Sequence, residues 1–139
     1  MKEIVSFLKF NDYSIKDFVF KRNRNFVTDD KNIDIEFEFK ADAAFSDDKS
    51  MATILLICEI FDEESFSNGN SPFYLKVELE GFFSCSSDIK IDEFELNGIA
   101  IVLPYLRAFI TSFTAQASIP PVIIPPINVY NLIKNKDKH

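Results

Sequence analysis

A chain of 139 residues matches one domain at ~150 residues per domain, which excludes separate cofactor and substrate domains as a starting point. With 47% hydrophobic and 27% charged residues, it has the apolar material for a core and too much of it for intrinsic disorder. Lys and Arg number 15 against 22 Asp and Glu, and the net charge of -7 repels a phosphate backbone on average, so nucleic acid is excluded as a first partner.

The opening segment favours strand over Ile4 to Phe10 and again over Ile15 to Phe20, with a bend or bulge expected near Asn11-Asp12. Lys21 to Lys31 then reads as a polar loop carrying Phe26 and Val27. Within it, Lys21-Arg22-Asn23-Arg24, flanked by Phe20 and Phe26, reads as a solvated loop rather than a nucleic-acid patch. From Ile33 to Ala41 the alternation is strict. Ile33, Ile35, Phe37, Phe39 and Ala41 share one face, predicted to be core, and Asp34, Glu36, Glu38 and Lys40 share the other.

Ser46 to Ser50 reads as a turn, followed by Thr53 to Phe61, a strand apolar on both alternating sets except at Glu59. Such a strand is either central or an assembly surface. Ser65 to Pro72, with Asn68-Gly69-Asn70, is the next turn. Phe73 to Glu80 then places Phe73, Leu75, Val77 and Leu79 inward and Tyr74, Lys76, Glu78 and Glu80 outward. The short polar links imply antiparallel neighbours, and two strands present acidic outer faces.

From Leu96 to Ile133 only Arg107 carries a formal charge, so this third of the chain is expected to hide from water over much of its length. Ile99, Leu103, Leu106, Ile110, Phe113 and Ala117 lie on one helical stripe. Pro104 predicts a start or a kink there, and Gly98 a second break. The opposite stripe, Arg107, Thr111, Thr114 and Ser118, is nearly uncharged, and one sheet covers only one side of a helix. These four residues are therefore expected to face another copy of the chain in a homo-oligomer. Ile119 to Asn128, with paired prolines, reads as a stiff extended connector, and Asn128 as the cap of a short helix from Val129 to Lys134.

The residue counts narrow the chemistry. The one histidine, His139, is terminal, so no His-centred triad, proton shuttle or His-rich metal site is available. Gly69, Gly81 and Gly98 are too scattered for a phosphate-cradling loop. Cys58 and Cys85 form no CxxC pair and read as core thiols suited to a reducing compartment. Asp29-Asp30, Asp47-Asp48 and Asp62-Glu63-Glu64 fall in turn-like segments rather than a catalytic pocket. No catalysis, cofactor or metal is expected. Lys2, Glu3 and Lys9 interrupt any signal-like apolar run, and the runs Ile54–Cys58 and Ile99–Tyr105 fall short of the ~20 residues that span a bilayer. A cytoplasmic protein without membrane insertion is expected.

The stretch from Gly98 to Asn128 resembles the SecB export chaperones. The similarity rests on Leu103-Pro104-Tyr105-Leu106-Arg107 leading into Ile110-Thr111-Ser112, then Ile119-Pro120 and Pro125-Pro126-Ile127-Asn128, with a further match at Lys16 to Phe20. It implies an α+β fold with a four-stranded antiparallel sheet, one long helix packed on one face and a short C-terminal helix. It also implies a dimer of dimers, a homotetramer with the long helices between sheets. Val129 stands where the family usually has Phe, and the chain ends without the family's Cys- and His-bearing tail, so zinc is not expected.

In function the resemblance implies an ATP-independent holdase that binds unfolded or precursor polypeptides in apolar grooves, with service to protein export and translocation. Sixteen Phe under a net charge of -7 suit that task. Groove candidates are Phe26, Val27, Ile123, Ile124, Ile127, Val129, Leu132 and Ile133, while Glu36, Glu38, Glu78 and Glu80 resemble the family's docking face for the motor SecA. Two alternatives stay open: a SecB-like chaperone dedicated to one antitoxin of a toxin-antitoxin system, and a carrier of small hydrophobic ligands or lipids.

Overall fold

Four antiparallel strands form one sheet in the order β1-β4-β3-β2, where β1 is Leu8–Arg22, β2 Phe37–Phe45, β3 Met51–Ile60 and β4 Phe73–Cys85. Helix α1 is Glu63–Ser67, α2 is Ile91–Gln116 and α3 is Val129–Lys136. This is a computed structural model, and it describes residues 8–27, 34–86 and 88–136. The expected strand at Ile4, the inward Ile33, the pair Asp29-Asp30 and His139 lie outside the described residues.

The sheet arises from the alternations in the sequence. Ile54, Leu56, Cys58 and Ile60 of β3 and Leu75, Val77, Leu79 and Phe83 of β4 are buried on one face. Helix α2 lies over them with Phe94, Ile99, Val102, Leu103, Leu106 and Ile110 buried. Two close approaches set its height above the sheet. A Cβ on Gly81 would stand 2.5 Å from Val102 Cγ1, and one on Gly98 3.0 Å from Ile54 Cγ1, so both glycines admit the opposing side chain.

The helix is longer than the expected one. Gly98 does not break it, because it is a contact point with β3. Pro104 sits inside it on an exposed turn, and Ala100, whose carbonyl loses its intrahelical donor there, is exposed to water as well. The 26-residue α2 is also long and apolar enough to cross a membrane by length and composition, which the short apolar runs had concealed. Its buried stripe packs on the sheet.

Strand β1 contains two register shifts, between Phe10 and Asp12 and between Ile15 and Asp17. The first falls where the bulge was expected. Each extra residue resets the alternation, so Phe10, Tyr13, Phe18 and Phe20 all reach aromatic partners. Tyr13 meets Tyr105 of α2 with ring centroids 4.6 Å apart, and Phe18 meets Phe113 at 4.6 Å.

Strand β2 begins at Phe37 rather than Ile33 and continues the predicted phase through Ala43 to Phe45. Tyr74 is on the outward set as expected, yet it is 4% exposed. Helix α1, capped by Asp62 accepting from the Ser65 N–H, packs against β4, and the Tyr74 hydroxyl donates to Glu59 Oε2 over 2.6 Å. Burial and that bond push the tyrosine's pKa upward.

Candidate functional site

The proline-rich connector poses a physical problem. Pro120, Pro121, Pro125 and Pro126 supply no N–H groups, and an extended segment without a sheet neighbour leaves its polar groups unpaired. Helix α2 solves it with side chains. Thr111 Oγ1 donates to the Val122 carbonyl over 2.8 Å, and Arg107 Nε donates to the Ile124 carbonyl over 3.1 Å. The Val122 N–H donates to Thr114 Oγ1 over 2.8 Å, while that hydroxyl donates back to the Ile110 carbonyl. Ser118, at φ 62°, turns the chain from the helix into the connector.

The uncharged stripe thus has a partner within the chain. The structure seats the chain's own connector on Arg107, Thr111 and Thr114, and leaves Ser118 exposed at the turn. A strand-like segment, not only another helix, can cover the second side of a helix. The surface of α2 left open is a different one, formed by Ala100, Pro104, Ala108 and Ser112 with Leu96 and Tyr105 beside them.

Pinned in this way, the connector alternates. Val122 and Ile124 are buried, and Ile123 between them is 78% exposed. Ile123 faces an open cavity of about 580 Å³. The connector from Ile119 to Ile124 is one wall; the end of β1 and its following loop, through Arg22, Asn23, Arg24 and Phe26, form another. Ile35 and Phe37, where the chain enters β2, complete it together with Pro72 and Phe73. The loop is held by the Asn23 N–H donating to the Pro72 carbonyl over 2.9 Å and by the Asn25 N–H donating to Asn23 Oδ1 over 3.0 Å.

The eight groove candidates separate. Phe26, Ile123 and Ile124 line the cavity. Val27 is 86% exposed and does not line it. Ile127, Val129, Leu132 and Ile133 are spent on docking: they pack with the core cluster, seating α3 against α2 and β2. Sequence reasoning missed Ile35 and Phe37, because an inward strand phase was taken to mean burial. Phe37, the first residue of the edge strand β2, is 39% exposed. It also missed Arg22 and Arg24, although the signal, a basic cluster between two phenylalanines, was in plain view.

The outer sheet face carries both signs, with carboxylates in excess. Register places Glu38, Glu59 and Lys76 in one row and Lys40, Ile57, Glu78 and Asp17 in the next, so Glu38 stands directly opposite Glu59 and Asp17 opposite Glu78. Glu80 lies one row further, opposite Leu55, and Glu36 precedes β2 with its carbonyl accepting from the Phe61 N–H. Cys58 and Cys85 are free and buried, and burial pushes the Cys58 thiol up to about 12. Among the described residues no group of three His, Cys, Asp or Glu is placed to hold a metal.

The sheet order, the long helix on one face and the pinned connector define the SecB-like fold. The Mycobacterium tuberculosis Rv1957 SecB-like chaperone, solved in complex with a ChAD peptide from the Rv1956 HigA1 antitoxin, superposes with a TM-score of 0.65 at 13% identity, covering 87% of this chain and 88% of that one. A Streptococcus agalactiae protein of unknown function matches with a TM-score of 0.50 at 13% identity, over 88% and 100% of the two chains. In sequence the chain is 37% identical over 134 residues to the uncharacterized protein MJ0357 of Methanocaldococcus jannaschii, covering 92% of this chain and 83% of that protein, and it belongs to that family. No protein-family model matches it.

Proposed function

We propose that this protein is an ATP-independent chaperone that holds nonnative polypeptide in the cavity between the connector and the β1–β2 segment. The observation that carries the reading is an open apolar cavity of about 580 Å³ with Ile123 held out into it, in a SecB-like fold. Such a site needs no reacting group. Burying ~1,000 Å² of client apolar surface gives roughly 25 kcal/mol gross, most of it offset by ordering the client, so capture and release proceed without nucleotide hydrolysis.

The structural neighbour solved with an antitoxin peptide supports the narrower reading, a chaperone dedicated to one antitoxin, alongside service to precursor proteins in export. The chain acts in the cytoplasm without inserting into a membrane, as a homotetramer assembled as a dimer of dimers through the open, uncharged surface of α2. The outer sheet face with Glu36, Glu38, Glu78 and Glu80 is the surface it offers to SecA. The test is suppression of aggregation of a chemically denatured model protein without ATP. Suppression at a few chains per client is expected; none at tenfold excess, with a fluorescent acyl chain bound instead, replaces the reading with that of a small-ligand carrier.

A further inference from the structure

Two features of the cavity specify its occupant more closely than apolarity does. The first is charge. The chain has a net charge of -7, yet among the described residues the side chains lining this cavity include Arg22 and Arg24 and no carboxylate. Among the described residues neither guanidinium has an ion-pair partner, and the neighbouring Lys21 is the one drawn off, to Glu63 at 4.0 Å. Two unpaired cations on exposed residues at the edge of an apolar cavity form a field complementary to carboxylate.

The second is backbone. Val122 N–H, Val122 C=O and Ile124 C=O all bond α2, so that edge of the extended connector is filled. Successive residues of an extended chain direct their backbone groups to opposite edges. The N–H and C=O of Ile123 therefore point away from α2, and no hydrogen bond to them occurs among the described residues. The connector is in effect a strand whose partner on one side is a helix's side chains and whose other side is open to one more strand.

We propose that the preferred occupant is an extended peptide segment in which apolar residues are flanked by Asp or Glu. The apolar side chains enter beside Ile123 and Phe37, the backbone pairs with Ile123, and the flanking carboxylates meet Arg22 and Arg24. This rests on the chaperone reading and adds a selectivity that an apolar groove alone lacks.

The test uses dansyl-labelled nonapeptides with a central Phe-Ile-Phe flanked on both sides by Glu, Gln or Lys, titrated with the full-length protein. The Glu peptide is expected to bind roughly three- to tenfold tighter than the Gln peptide, and the Lys peptide more weakly than either, for two partly screened ion pairs. The Glu advantage falls as NaCl rises from 50 to 300 mM. In the R22E/R24E double variant, checked for native circular dichroism, the order of Glu and Lys peptides reverses. Equal binding of all three peptides by the wild type overturns the selectivity and leaves the chaperone reading standing. If no peptide binds while decanoate does, the chaperone reading and the selectivity both fall.

Discussion

Thr114 and Val122 are eight residues apart, yet the Val122 N–H donates to the Thr114 hydroxyl over 2.8 Å in a buried site. That bond fixes the phase of the connector, because it decides which of Val122, Ile123 and Ile124 faces the sheet. Replacing Thr114 by Val keeps the shape and removes the acceptor, leaving a buried N–H unpaired at a cost of about 1–3 kcal/mol. We expect a lower urea midpoint with unchanged slope, together with faster hydrogen exchange at the Val122 amide. Unchanged exchange there would show that the connector is held by other means.

Ile123 is expected to separate function from stability. At 78% exposure it contributes little to folding, so Ile123→Asp should shift stability by no more than about 0.5 kcal/mol. The same change puts a desolvated carboxylate where a client side chain packs, and aggregation suppression per chain should fall at least about threefold. A variant that melts early would instead make Ile123 part of the core.

Much of the sheet was legible because alternation records burial. In β1 the apolar parity runs even at Leu8 and Phe10, odd at Tyr13 and Ile15, and even again at Phe18 and Phe20, and each change of parity coincides with one of the two register shifts. The cavity was less legible. Phe37 and Ile133 carry the same apolar signal, yet one is 39% exposed at the start of the edge strand β2 and the other, on α3, is packed against the core, and only the topology distinguishes them. Within the hydroxyl stripe Thr114 is buried and Ser118 exposed; the connector that meets the stripe was invisible in the sequence, because an extended segment has no periodicity that announces which helix face it will meet.

Gly81 sets the spacing of sheet and helix. Val102 is β-branched and held in the helix, so its Cγ1 has little room to yield to a new methyl 2.5 Å away. Gly81→Ala should destabilise by about 1–3 kcal/mol through overpacking. Adding Val102→Ala should restore part of that loss, a coupling read from a double-mutant cycle by urea denaturation. Additive losses would place the strain elsewhere.

The β2–β3 turn carries a pH signature. Asp48 accepts from the Ser50 N–H at 3.0 Å, from the Ser50 hydroxyl at 2.7 Å and from the Ser46 hydroxyl at 2.8 Å. These bonds favour the carboxylate and bring its pKa from 3.8 to about 2. A depressed folded value means that the contribution to stability is complete above the unfolded value and is lost as pH falls toward 2. Wild type should exceed Asp48→Asn in urea midpoint at pH 6, with the gap closing between pH 4 and pH 2. A gap independent of pH would assign the difference to turn geometry rather than to charge.

The open surface of α2 is the last place where one residue decides between outcomes. Ala100, Pro104, Ala108 and Ser112 recur every four residues and are all exposed, with no charged side chain among them, since Arg107 is turned to the connector. Small side chains allow close approach of a second helix, and a carboxylate in the middle of that contact is buried without a partner. Ala108→Glu should therefore leave circular dichroism unchanged and convert the homo-oligomer proposed above into single chains of 16.0 kDa in sedimentation velocity. If the wild type already sediments as a single chain at micromolar concentration, this surface is not an interface between copies.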